Sequence, residues 1–431
     1  MRAFASNNEN RPNCRRRHTG FQPEQEGNNV SRRVLGGHDA RRADEDHAEP
    51  NQQRQPIFEE KFHPEVRRLK SEISTETPNI QHRTLNVQWQ KAIRHRSSEF
   101  ENWTLDVGRW TFATMLRNEV TAPLTFQPIF IERMWGGRRL ESEFHKKLPP
   151  QKRIGESWEI VDRSEAQSVV AGGPLYGRTL HELWTQQRKE IFGDLADTPR
   201  FPLLIKILDA HEKLSLQVHP PENVASKLGG EPKSEFWYVA AADPDAEVFV
   251  GFREPITRDK FEERLRDGTV IDYIHKIAVQ AGDAVFLPAG RVHAIGAGNL
   301  LIEIQQNSDT TYRVFDWNRA DPTTGKQRDL HIQQAIQCID FEDVQPKLIQ
   351  SEGELLISHS IFEIRKWNLD EAREAAPLGQ FAIVCCLTGN LNCAKAELAP
   401  GDFFLIPAHL EDRQLKPLVP DTSLLCITIP V

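Results

Sequence analysis

From residue 120 onward the chain is written in short apolar runs broken by Pro, Gly and Asp. Such punctuation is that of β-strands joined by turns. Strands are expected over 203–208, 214–218, 236–241, 248–252, 275–279, 284–287, 300–305 and 311–315. Helical periodicity interrupts them at 179–191, 258–266 and 330–338. Strands at this spacing predict a mostly β fold, a barrel with helical decoration.

Within that pattern, Leu214-Ser-Leu-Gln217-Val-His219-Pro reads as one wall of a metal site. Alternate side chains of a strand share a face, so Gln217 and His219 point one way while Leu216 and Val218 point the other. Glu235, in Lys-Ser-Glu-Phe-Trp-Tyr, and His293, in Leu-Pro-Ala-Gly-Arg-Val-His, lie on later strands that can close around the same point. Two imidazoles, one carboxylate and one amide oxygen suit a divalent ion of borderline softness, zinc first, with iron, manganese or cobalt behind. The run Gly282-Asp-Ala-Val-Phe-Leu-Pro288-Ala-Gly290-Arg-Val-His293 is an apolar strand, a Pro-x-Gly turn, then a His on the next strand. It resembles the second motif of the cupin superfamily. Gln217, His219 and Glu235 represent the first motif more loosely.

The same corner recurs downstream. Gly401-Asp-Phe-Phe-Leu-Ile-Pro407-Ala-His409 aligns with 282–290, and where the first copy has His293 the second has Asp412. Two jelly-roll barrels of the cupin type are therefore expected. Residues 115–345 would form the metal-binding catalytic domain, with helical segments, and 346–431 a smaller barrel that keeps the corner without the metal.

Upstream the texture differs. Residues 1–56 are rich in Arg, Asn, Gln, Glu and His and hold only scattered apolar positions, too few to offset the entropy of ordering them. The stretch 1–114 is expected to be a disordered or weakly structured extension, with Met115 heading the compact part. Its mixture of Arg with Asp39, Asp44, Glu45 and Asp46 argues against an acid-poor transit peptide.

Charge narrows the partners. Asp plus Glu number 62 against 54 Lys plus Arg, a formal net charge of -8, so no global basic field draws nucleic acid. No apolar run is long enough to span a bilayer, which predicts a soluble, cytoplasmic protein. The six cysteines, at 14, 338, 385, 386, 393 and 426, have no framework spacing, and reduced structural thiols are expected. Monomer and homodimer are both compatible with this composition.

Six motifs in order carry a wider resemblance: Phe130-Ile-Glu-Arg-Met-Trp135-Gly-Gly137, Gly155-Glu-Ser-Trp158-Glu159, 214–220, 233–238, 288–294 and Tyr312-Arg313-Val-Phe-Asp316-Trp. Together they resemble the type I mannose-6-phosphate isomerases in their short bacterial form. That family consists of zinc enzymes of the cupin superfamily which interconvert mannose 6-phosphate and fructose 6-phosphate. The resemblance implies one zinc ion per subunit held by His219, Glu235 and His293 with Gln217 as neutral fourth ligand, Arg313 as catalytic arginine, and a small sugar phosphate as substrate.

The residue types suit that chemistry. Moving a carbonyl from C1 to C2 requires loss of the C2 proton and places negative charge on an enediolate oxygen, which a Lewis acid or fixed cation must face. Arg313 is always charged, so it can hold that oxygen but is a poor base. Lys233, two residues before Glu235 and expected on the same strand face, is a candidate proton shuttle with a depressed pKa, or a phosphate anchor. Glu156 and Glu159 are candidate cleft carboxylates and a source of the base, Glu159 equally a paired structural charge, and Trp135 and Trp158 either cover the sugar ring or belong to the core. Two other readings use the same ligands: a non-haem iron oxygenase, whose facial triad is also two His and a carboxylate, and a non-catalytic sugar-phosphate sensor.

Overall fold

The computed structural model describes residues 120–320 and 325–430. The expectations for 1–114 and Met115 lie outside the described residues.

The strand series opens with β1 (Ile129–Gly137) and β2 (Ile154–Ile160), followed by the small hairpin β3 (Asp162–Arg163) and β4 (Ala166–Gln167). A set of eight follows: β5 (Leu203–Ala210), β6 (Leu216–Val218), β7 (Glu235–Ala242), β8 (Glu247–Phe252), β9 (Ile274–Ala278), β10 (Ala284–Leu287), β11 (His293–Ile295) and β12 (Asn299–Gln306). Next come β13 (Tyr312–Phe315) and β14 (Leu355–Ser358). A last set comprises β15 (Glu363–Leu369), β16 (Arg373–Glu374), β17 (Ala382–Thr388), β18 (Leu391–Cys393), β19 (Ala396–Leu398), β20 (Phe403–Ile406), β21 (Gln414–Pro417) and β22 (Thr422–Thr428).

These strands form two antiparallel sheet pairs. The first pair orders as β1-β2-β5-β12-β7-β10 and β13-β6-β11-β8-β9, the second as β14-β15-β22-β17-β20 and β16-β21-β18-β19. The predicted mostly β class holds, but no closed barrel is found among the described residues. Each pair instead buries one apolar layer between its two sheets. Leu208, Trp237 and Leu301 of one sheet meet Val248, Val250 and Ile295 of the other, and Trp367, Val384 and Leu424 meet Leu391, Cys393 and Leu415.

A third layer joins the outer faces of the two larger sheets. Ile205, Phe236 and Ile302 share a core with Ile364, Ile383 and Leu425, and Trp184, Phe192 and Phe201 fill in beside them. Strands β5 and β12 are thus covered on both faces, which is why they read as almost unbroken apolar runs rather than as an alternation. Against such a background a charged residue stands out.

The helix expected over 179–191 is two helices, Leu180–Gln186 and Arg188–Phe192, broken at Gln187 with φ -132° and ψ 31°. Thr179 and Glu182 close a reciprocal capping box at its start. The turn that delivers His293 depends on Gly290, whose φ of +97° favours glycine. Its amide donates to the His219 carbonyl at 2.9 Å, so the corner is tied to the end of β6.

Candidate metal centre

Three short backbone segments converge at one end of the first sheet pair. His219 follows β6, Glu235 opens β7 and His293 opens β11. Their ligand atoms lie within 4.8 Å of one another, the one such cluster among the described residues. Each residue is only 1% exposed.

Both imidazoles are oriented by backbone carbonyls. His219 Nδ1 lies 2.8 Å from the Thr310 carbonyl, and His293 Nδ1 lies 2.9 Å from that of Arg291. A carbonyl can only accept, so Nδ1 carries the proton in each ring and each Nε2 presents its lone pair. His219 Nε2 sits 3.1 Å from Glu235 Oε1, and His293 Nε2 sits 3.7 Å from Glu235 Oε2.

Burial sets the charge state of this cluster. It lowers the pKa of His219 and takes that of His293 down to about 3, which keeps both rings neutral near pH 7. Burial alone would raise Glu235, but Lys233 and then His219 outweigh it and hold the carboxyl well below its ordinary value. Two neutral imidazoles and one carboxylate are the donor set a divalent ion needs. His219 Nε2 and Glu235 Oε2 are fully buried without a hydrogen-bond partner, an arrangement that costs free energy unless something bridges them. The residues fit a metal.

Gln217 stands beside the cluster, its Nε2 3.3 Å from His293 Nε2. Across the sheet Gln217 pairs with His293 on one side and with Arg313 on the other. Arg313 therefore sits two strands from the cluster by register, and its Nη1 donates to the Asp329 carbonyl at 2.8 Å.

A cavity of about 540 Å³ opens on this row, with Gln217, Lys233, Glu303, Arg313, Glu156 and Trp135 among its walls. Lys233 lies in the turn before β7 rather than on the strand, and its Nζ reaches Glu235 Oε1 at 2.8 Å. Burial pulls its pKa down, yet the carboxylates of Glu235 and Glu303 overcompensate and raise it. The expected depressed pKa of Lys233 is thus corrected: it is a held cation.

Glu156 lies between Arg133 Nε at 2.6 Å and the Trp158 indole N–H, also at 2.6 Å. Those partners and Lys206 keep it ionised against its burial. Trp158 and Glu159 do not line the cavity. Trp158 packs with Val161 and Leu204. Glu159 falls on the other face of β2, where it pairs with Lys146 Nζ at 2.8 Å and accepts from Ser157. Alternation along β2 explains the split, since 156 and 158 share one side and 159 takes the opposite one.

Sequence reasoning missed Lys206 and Glu303, which are direct partners across β5 and β12. Lys206 Nζ stands 3.8 Å from Glu303 Oε1 and 4.0 Å from Glu156 Oε2. Burial, and then the charge of Glu235, raises Glu303 to about 7. A signal was available: each is a lone charge in an apolar run, Leu-Leu-Ile-Lys206-Ile-Leu and Leu-Leu-Ile-Glu303-Ile, and such charges are paired or functional.

Comparison with known proteins agrees with this geometry. The family described as phosphomannose isomerase type I, catalytic domain, matches residues 124–248. The probable mannose-6-phosphate isomerase GmuF of Bacillus subtilis (strain 168) is 36% identical over 311 residues, 69% of this chain and 97% of that protein. The mannose-6-phosphate isomerase of Streptococcus mutans serotype c is 35% identical over 303 residues, 68% of this chain and 94% of that one. The crystal structure of the mannose 6-phosphate isomerase from Bacillus subtilis superposes with a TM-score of 0.64 at 31% identity, covering 72% of this chain and 100% of that chain.

Proposed function

The chain belongs to the type I phosphomannose isomerases, and from that premise we propose that it interconverts mannose 6-phosphate and fructose 6-phosphate with the aid of a bound metal ion. One observation carries the reading: the His219, Glu235 and His293 donors converge beside a cavity that also holds a fixed guanidinium and a buried carboxyl near neutrality.

His219, Glu235 and His293 would hold the ion, with the Gln217 amide as neutral fourth donor, and the donor set favours one zinc per subunit. Bound there, the ion supplies a Lewis acid that polarises a substrate oxygen.

The protein's own groups account for the proton. Glu303, as carboxylate, takes the C2 proton of the open-chain aldose, and the electron pair left behind forms the C1–C2 double bond while the C1 carbonyl oxygen becomes negative. Arg313, fixed by strand pairing, faces that charge. Glu303 then returns the proton to C1, the O2 proton passes to the negative O1 so that C1 becomes a hydroxymethyl group, and the carbonyl re-forms at C2. Lys233 stays protonated and holds Glu235 in its ligating charge state. Glu156, already taken by Arg133 and Trp158, shapes the wall instead of acting as base. The dianionic phosphate needs local cations, and Arg133, Lys206 and Arg328 line the cavity with Arg313.

We read the two sheet pairs as two cupin units divided near 345, the second without metal, and place the enzyme in the cytoplasm, where its buried thiols stay reduced. No specific observation favours an oxygenase or a sensor. The test is a coupled assay on mannose 6-phosphate with and without chelator: no turnover by the metal-loaded protein would reject the reading.

A further inference from the structure

Strands β15–β22 repeat the pairing of β5–β12 strand for strand, β15-β22-β17-β20 matching β5-β12-β7-β10 and β16-β21-β18-β19 matching β6-β11-β8-β9. The substrate cavity draws Lys206 from β5, Gln217 from β6, Lys233 from the turn before β7 and Glu303 from β12. At the corresponding place in the second set lies another cavity, of about 350 Å³, walled from β15, β16, the turn before β17, and β22. Its polar walls include Glu363, Arg365, Trp367, Arg373, Glu374 and Gln380.

The second corner is tied without an ion. Arg413 stands immediately before β21, as His293 stands at the start of β11, and is 2% exposed. Its guanidinium donates to the carbonyls of Pro377 at 2.8 Å, Ala408 at 3.1 Å and Gln380 at 2.5 Å. A built-in cation therefore bridges the segments around β16, β17 and β20.

We propose that this cavity is a second, non-catalytic site for an uncharged monosaccharide. Its volume falls in the range of about 300–1,000 Å³ of small-ligand pockets, near the low end that a six-carbon sugar requires. Its charges cancel, two arginines against two glutamates, and both arginines are engaged: Arg365 with Glu363 at 2.9 Å, and Arg373 with both Glu354 oxygens at 2.5 and 2.8 Å. An anion would have to break those pairs, whereas hydroxyls can accept from guanidinium and donate to carboxylate while leaving them in place. Trp367 forms part of the wall, with the Arg373 guanidinium 3.9 Å over its ring.

Calorimetric titration of the full chain with D-mannose, in saturating mannose 6-phosphate to fill the first cavity, tests the proposal. Saturable one-to-one binding is expected. Glu374→Gln turns a carboxylate acceptor of the wall into an amide and should weaken binding about tenfold, with the kcat/KM of the parent kept. No saturable heat in the millimolar range, full competition by mannose 6-phosphate, or parental affinity in Glu374→Gln would each overturn it.

Discussion

Arg313 on β13 and Gln217 on β6 are direct partners across two antiparallel strands, and Gln217 is paired on its far side with His293 of β11. The guanidinium proposed to face the enediolate is thereby held at a set distance from the metal cluster by backbone register. It needs no contact with the ligands themselves.

Arg313→Ala should therefore retain the metal and lose the rate. Removing one fixed donor from a developing oxyanion typically costs about 10²–10³ in turnover. Arg313→Lys should recover little, because a single ammonium does not reproduce the planar fork. Steady-state kinetics beside metal analysis checks this, and loss of metal in Arg313→Ala would move its role to the cluster.

Glu235→Gln should lower both metal content and melting temperature, as should exhaustive chelation of the parent. An ion that binds only the folded chain stabilises it by about 2.7 kcal/mol at a hundredfold excess over its Kd. Thermal melts before and after re-addition of zinc read this directly. A chelated protein that melts like the loaded one would count against a metal at this site.

The Glu303 carboxyl sits at about 7, raised first by burial and then by the charge of Glu235. A base works only when ionised, so kcat/KM should climb as pH rises through about 7 and level off above it. Glu303→Gln should abolish that acid limb along with most of the rate. A profile unchanged in Glu303→Gln would exclude Glu303 as the proton carrier.

Lys146 and Glu159 should matter for stability and not for substrate. Each side chain is 6% exposed and their contact is 2.8 Å. Removing one partner of a buried pair costs about 3–5 kcal/mol because the other charge is stranded. Lys146→Met should thus lower the melting temperature with KM unaltered in the folded fraction. A shift in KM would reconnect Glu159 to the sugar cavity.

Sequence and structure agree where the signal is local. His219 and His293 are readable because a strand alternation and a Pro-x-Gly corner fix their directions within a few residues. Trp158 and Glu159 show what local reading leaves open. Glu156 lines the cavity, but period-two geometry sends Glu159 to a pocket shared with Asp402, more than two hundred residues along the chain. Lys206 and Glu303 each stand out as a lone charge in an apolar run, but their pairing is a matter of β5–β12 register, and register is a long-range property. The titration of Lys233 was likewise beyond a sequence pattern, since its direction depends on how near Glu235 and Glu303 come.

The depth of the triad also bears on timing. His219, Glu235 and His293 offer almost no surface to bulk water, and the groups nearest them at the cavity wall are Gln217 and Lys233. A cation leaving the site must shed its His, Glu and Gln donors and pass a positively charged ammonium on its way out. Exchange should accordingly be slow, so that a molecule once charged with its ion would survive dilution and dialysis, and the supply encountered during folding would decide which element it carries.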